Sequence, residues 1–201
     1  MTGRRAWAGM TLLLLSMALF GQGLPVLWID WQPDLVAIQP WRTWTAVAVH
    51  YSGMHLAGNL AGTALVGALG WVSRLPMRAT LAWCLAWPLT HWGLLLQPSL
   101  SHYGGLSGVV HAGVAIVSVH LVFNGRGRQR PIGALMFLLL VGKVVSEEPW
   151  GAPLRFSQGW DIALAPLAHA TGALAGLFFV ALLELAHRRR GRFTGSSSKP
   201  L

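Results

Sequence analysis

Long apolar stretches broken by short polar ones set the pattern of this chain. Six runs stand out, at roughly 6–24, 44–72, 79–96, 106–123, 132–145 and 162–185. A helix needs about 20 mostly apolar residues to cross the hydrocarbon core of a bilayer, so each run reads as a membrane-spanning helix, the second long and the fifth short. The breaks between them, "PVLWIDWQPDLVAIQPWR", "SRLPMR", "QPSLSHYGG", "NGRGRQRP" and "KVVSEEPWGAPLRFSQGWD", hold the Pro, Gly and charged residues of connections. The pattern predicts an all-α membrane protein, a bundle of six transmembrane helices.

Charge orients that bundle, because cytoplasmic ends collect Lys and Arg. Arg4, Arg5, Arg74, Arg78, Arg126, Arg128, Arg130, Arg188, Arg189, Arg190, Arg192 and Lys199 fall on one side. Arg42, Lys143 and Arg155 fall on the other, with Asp30, Asp34, Glu147, Glu148 and Asp161. Twelve basic residues against three, in strict alternation, place both termini inside. The net charge of +9 thus reads as topology and attraction to an anionic inner leaflet, not as nucleic-acid binding. No basic patch with interleaved aromatics suggests otherwise.

Composition adds detail. Hydrophobic residues make up 54% of the 201 and charged residues 10%, as a membrane protein requires. The single cysteine, Cys84, lies inside the third run, so neither a disulfide framework nor a cysteine metal site is expected. Trp28, Trp31, Trp41, Trp44, Trp150 and Trp160 sit near the outer ends of runs and suit an interfacial belt. The first run reads as a span rather than a secretory signal, since no small-x-small cleavage site follows it. Residues 1–187 form one membrane domain in this reading, and 188–201, "RRRGRFTGSSSKPL", a basic and disordered cytoplasmic tail.

Polar groups inside a bilayer are costly and therefore functional candidates. They are His50, His55 and Asn59 in the second run, His91 in the third, Ser107, His111 and His120 in the fourth, and His169 in the sixth. His55 and Asn59 are four apart and share a helix face, as do Ser107 and His111. His169, Gly172 and Gly176 form one stripe, a histidine above two small residues that let helix backbones approach. Ser107 is flanked by Gly104, Gly105 and Gly108, which clear space around its hydroxyl.

These residue types suit acyl transfer: Ser107 as nucleophile, His169 as its general base, and the Ser107 N–H, the Asn59 amide and a His55 ring nitrogen as oxyanion donors. No Asp or Glu lies in the interior of a run to orient His169, Glu184 near an inner end being the nearest exception, so a dyad is expected rather than a triad. Gly105 and Gly108 leave room for a substrate backbone. Structural roles compete at each position, interhelical hydrogen bonding for the histidines and helix capping for the serine. For Glu147 and Glu148 a solvated outer loop competes with substrate placement. A haem-binding protein is a third possibility, since imidazole ligates haem.

At this point four motifs, in order, carry a resemblance. They are "WR" (Trp41 and Arg42), "HYSGMHLAGN" as H-x4-H-x3-N (His50, His55, Asn59), "GLSG" (Gly105 to Gly108) as G-x-S-G, and "AHATGALAG" as A-H-x2-G-x3-G (His169, Gly172, Gly176). Together they resemble the rhomboid intramembrane serine proteases. The resemblance implies a six-helix fold with Ser107 as nucleophile, His169 as base, His55 and Asn59 at the oxyanion, and Trp41, Arg42 and His50 as structural residues. Many rhomboids carry a tyrosine that stacks on the base where this chain has His111. That histidine, the small size and the Glu pair look more like the rhombosortase subfamily, whose members are thought to cut exported proteins at a C-terminal Gly-Gly before a single membrane helix and a basic tail. A single-pass membrane substrate, a bacterial inner-membrane location and no cofactor follow from the resemblance, with a catalytically inactive client-binding relative as the alternative.

Overall fold

A computed structural model of the chain describes residues 2–195. In chain order its helices are α1 (Gly3–Phe20), two short turns α2 (Val26–Ile29) and α3 (Arg42–Thr45), α4 (Gly53–Val72), α5 (Met77–Trp92), α6 (Ser107–Asn124), α7 (Gln129–Ser146) and α8 (Pro166–Gly195). The chain is a mostly helical membrane protein. Four stretches, Gly3–Gly23, Ser107–Asn124, Gln129–Ser146 and Pro166–Arg189, are long and apolar enough to cross a bilayer by length and composition. The other two long helices differ in character: α4 carries His55, Asn59 and several glycines, and α5 has 16 residues with Pro88 inside it.

Several boundaries differ from the sequence expectation, each for a local reason. The second run was expected to be helical from Trp44, but α4 starts at Gly53, where the Ser52 hydroxyl accepts from the His55 N–H at 3.0 Å and caps the helix. The preceding backbone is used for loop contacts instead: the Ala46 carbonyl accepts from the Gly105 N–H at 2.9 Å and the Ala48 carbonyl from Gln22 at 3.2 Å. The sixth run begins in a hairpin that an all-α reading did not include, β1 (Arg155–Phe156) paired antiparallel with β2 (Ala163–Leu164). Helix α8 then starts at Pro166, whose fixed φ and missing N–H suit a first helical position. At the other end α8 continues to Gly195, so 188–195 of the expected disordered tail are helical. Arginine is a good helix former, and positive charge is favourable at a helix C-terminus. Residues 196–201 of that tail lie outside the described residues.

Tryptophans lock the bundle. Trp7 of α1 stacks on Trp83 of α5 at 4.4 Å between ring centroids. Their indole N–H groups donate to the Val66 and Val109 carbonyls, so each buried ring is satisfied by a different helix, α4 and α6. Outside, Trp31 is fully buried and not part of an interfacial belt; its backbone pairs with Tyr103 as an isolated antiparallel bridge. That bridge draws the loop before α6 into the protein, where Leu100, Tyr103 and Leu106 are buried. Arg42 is buried with it. Its guanidinium donates to the Asp30 side chain at 3.0 Å, the Asp30 carbonyl at 2.7 Å, the Leu27 carbonyl at 2.9 Å and Gln39 at 2.6 Å, tying down the segment between α1 and α4.

Helices α6 and α8 approach so closely that at Gly108, Gly172 and Gly176 there is no room for a side chain. A Cβ on Gly172 would fall 1.9 Å from the Gly108 carbonyl oxygen, and one on Gly176 2.5 Å from that of Ala112. Gly108 in turn faces the Ala168 carbonyl, with a Cβ there at 2.6 Å. In lipid, where apolar side chains gain little by leaving the surroundings, such backbone packing is a main source of helix association. Gly172→Ala is expected to force the two helices apart, costing about 1–3 kcal/mol. Thermal unfolding in detergent will read this as a lower Tm.

Candidate active site

The tight α6–α8 contact places the first turns of both helices side by side. Ser107 is the first residue of α6, and His169 lies in the first turn of α8. The sixth run was expected to be helical from 162, but the hairpin takes up residues 162–164 before α8 starts, so His169 falls in the first turn. His169 Nε2 lies 3.0 Å from Ser107 Oγ. A hydroxyl at that distance can donate to an unprotonated ring nitrogen, which is the geometry of a serine and its general base.

The chain reaches Ser107 through Gly105, whose φ of +144° is a conformation that side chains rarely adopt. Space adds a second constraint, since a Cβ there would sit 3.0 Å from the His55 ring. His55 and Asn59, on one face of α4, line the same cavity of about 250 Å³ as Ser107 and His169. His55 Nδ1 and Asn59 Nδ2 are buried with no hydrogen-bond partner among the described residues. Unpaired buried polar groups of this kind are costly and call for an explanation.

His111, one turn along α6 from the serine, stacks on His169 with ring centroids 4.2 Å apart and planes within 11°. Its Nδ1 lies 2.7 Å from the Ser107 carbonyl oxygen, to which it donates. The stack fixes the plane of the His169 ring, so His111 fills the place the sequence reading left open. His50 packs its ring 4.8 Å from that of His55 and meets Gln22 at 3.3 Å, a supporting position. Trp41 is half exposed and does not line the cavity, while its neighbour Arg42 anchors the segment between α1 and α4. His91 is fully buried against the Thr43 carbonyl, and His102 pairs with Asp30 at 2.7 Å. Gly172 and Gly176 act through the helix contact rather than at the cavity.

One expectation is overturned. Sequence reading found no carboxylate to meet His169, yet Glu147 Oε2 lies 2.5 Å from His169 Nδ1. Glu147 is the C-cap of α7, which runs through Ser146, and its carboxylate turns back over the bundle. Its other oxygen, Oε1, accepts from the Lys143 ammonium one turn earlier. Burial works against ionisation of this carboxyl, but the His169 hydrogen bond and the nearby ammonium outweigh it and hold the pKa low, at about 2. The i, i+4 spacing of Lys143 and Glu147 was visible in the sequence. What it did not reveal was that the C-terminal end of α7 and the N-terminal end of α8 lie side by side.

The hairpin closes one side of the cavity. Ser157, Trp160 and Leu164 line it, none of them anticipated as site residues. Trp160 leans on Gly58 of α4, where a Cβ would meet the indole at 2.8 Å. The Ser52 hydroxyl donates to Asp161 at 2.7 Å, tying the hairpin to the start of α4.

In comparison with known proteins, the chain is 26% identical over 191 residues to Rhomboid protease GlpG of Photorhabdus laumondii. That alignment covers 89% of this chain and 61% of the relative, so the chain spans about three fifths of that protein's length. No family model matches the chain.

Proposed function

We propose that the chain is an intramembrane serine protease of the rhomboid type, a six-span protein with both ends on the inner side of a bacterial inner membrane. The observation that carries this reading is the 3.0 Å contact between Ser107 Oγ and His169 Nε2 at a cavity closed by α4, α6, α8 and the hairpin. Similarity to Rhomboid protease GlpG supports it independently. Irregular backbone at membrane depth, such as the loop before α6, is tolerated where it is buried in protein or lines a cavity, and a hydrolase in a bilayer needs such a place for water.

The chemistry is acyl transfer. Ser107 passes its proton to His169 Nε2 as Oγ bonds to the carbonyl carbon of the substrate. The resulting oxyanion takes hydrogen bonds from the Ser107 N–H, the Asn59 amide and the His55 ring. The C–N bond then breaks as His169 returns the proton to the leaving amine, and water, deprotonated by the same histidine, releases the acyl group. The substrate is a single-pass membrane protein cut near the outer end of its helix. Small residues there favour cleavage, because an intact helix keeps its carbonyls in internal hydrogen bonds. His111 and the Glu pair further favour the rhombosortase branch and a C-terminal Gly-Gly sorting signal.

The test is co-expression in membranes with two reporters, one ending in Gly-Gly, an apolar helix and a basic tail, the other a general helix-destabilised rhomboid substrate. Cleavage of the first is expected. Cleavage of the second alone would keep the protease and remove the sorting-signal substrate. Silence on both, with folded protein, would favour an inactive protein that binds membrane clients.

A further inference from the structure

We infer that Glu147 is a positioning residue for His169, making the site a Ser107–His169–Glu147 triad rather than a dyad. The bland alternative is an ordinary i, i+4 ion pair between Lys143 and Glu147 at a helix end. Three features go beyond that alternative.

The first is the division of the carboxylate. Oε1 takes the Lys143 ammonium, while Oε2 faces His169 Nδ1 at 2.5 Å, on a histidine whose side chain is 5% exposed. An ionised carboxylate only accepts, so Nδ1 must carry the ring proton. Nε2 is then left unprotonated toward Ser107, the tautomer that a general base requires.

The second is the way the backbone holds Glu147. Its N–H donates to the Lys143 carbonyl at 3.2 Å, and its own carbonyl accepts from Arg155 at the start of the hairpin at 2.9 Å. Glu148, the next residue, has φ of +51°, a left-handed conformation that is rare outside glycine. The chain therefore reverses right after Glu147. This is the usual left-handed step that ends a helix, as at Arg74 after α4, and here it brings the chain round so that Arg155 meets the Glu147 carbonyl.

The third is the contrast with Glu148, which pairs with Arg155 at 2.9 Å with its side chain largely exposed. Two adjacent glutamates thus have different surroundings, and Glu147 is the one that meets the histidine. The groups facing His169 are Ser107 and His111 from α6, Glu147 beside Lys143 at the end of α7, and His55 from α4. Among them Glu147 alone supplies negative charge to offset the imidazolium that forms when Ser107 gives up its proton. The carboxylate does not take that proton; it holds the ring and stabilises the charge.

This inference rests on the serine-protease reading, and the experiment separates the two. The full chain is purified in detergent and treated with a fluorophosphonate, which labels an activated serine, in parallel with kinetics on a cleaved substrate. Loss of labelling in Ser107→Ala establishes the nucleophile. Glu147→Gln is then expected to lower kcat and the labelling rate by about 10²- to 10⁴-fold while leaving KM nearly unchanged. Glu147→Asp should recover part of the loss, and Glu148→Gln should behave as wild type. Nuclear magnetic resonance of the unmutated protein gives a readout independent of variant folding: a strongly deshielded Nδ1 proton that disappears in His169→Ala. A labelled protein lacking that signal, or a folded Glu147→Gln that labels and turns over at the wild-type rate, overturns the triad and leaves the protease standing. Labelling indifferent to Ser107→Ala overturns both.

Discussion

Ser107→Ala and His169→Ala are each expected to lower proteolysis by about 10⁴-fold or more, which is about 5.5 kcal/mol of transition-state stabilisation. In a membrane assay that amounts to no detectable product. The two losses should not add, because serine and histidine act as one unit and removing either disables the other. Folding should be spared in the serine variant. Ser107 opens α6 without capping it, and its hydroxyl meets His169. The double variant is the decisive comparison: a further 10⁴-fold loss over either single change would mean that the residues act separately.

Asn59→Ala is expected to lower kcat by about 10²- to 10³-fold, the usual cost of one oxyanion donor. Its effect on stability should be small, and this separation makes the prediction sharp. Asn59 Nδ2 is buried and has no hydrogen-bond partner among the described residues, so truncation breaks no such bond in the resting protein. The backbone carbonyl of Asn59, which accepts from the Thr63 hydroxyl at 2.7 Å, is unaffected by the change. Thermal unfolding with an unchanged Tm, alongside a kcat loss at constant KM, is the expected pair of results. A lower Tm with proportional loss of activity would instead make Asn59 a packing residue.

A protein whose stability and chemistry are divided in this way also explains its glycines. Gly108 and Gly172 let α6 and α8 touch backbone to backbone, and that contact places Ser107 within reach of His169. The three stabilising features around the site, the Arg42–Asp30 anchor, the Ser52–Asp161 tie and the Lys143–Glu147 pair, all lie on loops or helix ends at the outer side. They hold irregular segments that the bundle itself does not.

Much of this protein was written in the order of its residues. Apolar runs marked the long helices because a bilayer admits almost no other spanning structure for such a chain, and every backbone polar group must then be satisfied within the helix. His55 with Asn59, Ser107 with His111, and His169 with Gly172 were legible because helical spacing alone puts each group on one face. Tertiary structure decided what spacing does not encode. The hairpin at 155–164 pairs only two residues on each strand, too few to leave a periodic signal, yet it sets where α8 begins and closes the cavity. Trp31 looked interfacial but is buried by its bridge to Tyr103, a partner 72 positions away. Glu147 and Glu148 are chemically identical neighbours in sequence. The C-terminal turn of α7 directs one to His169 and the other to Arg155, because a helix end fixes the side-chain direction of each residue separately.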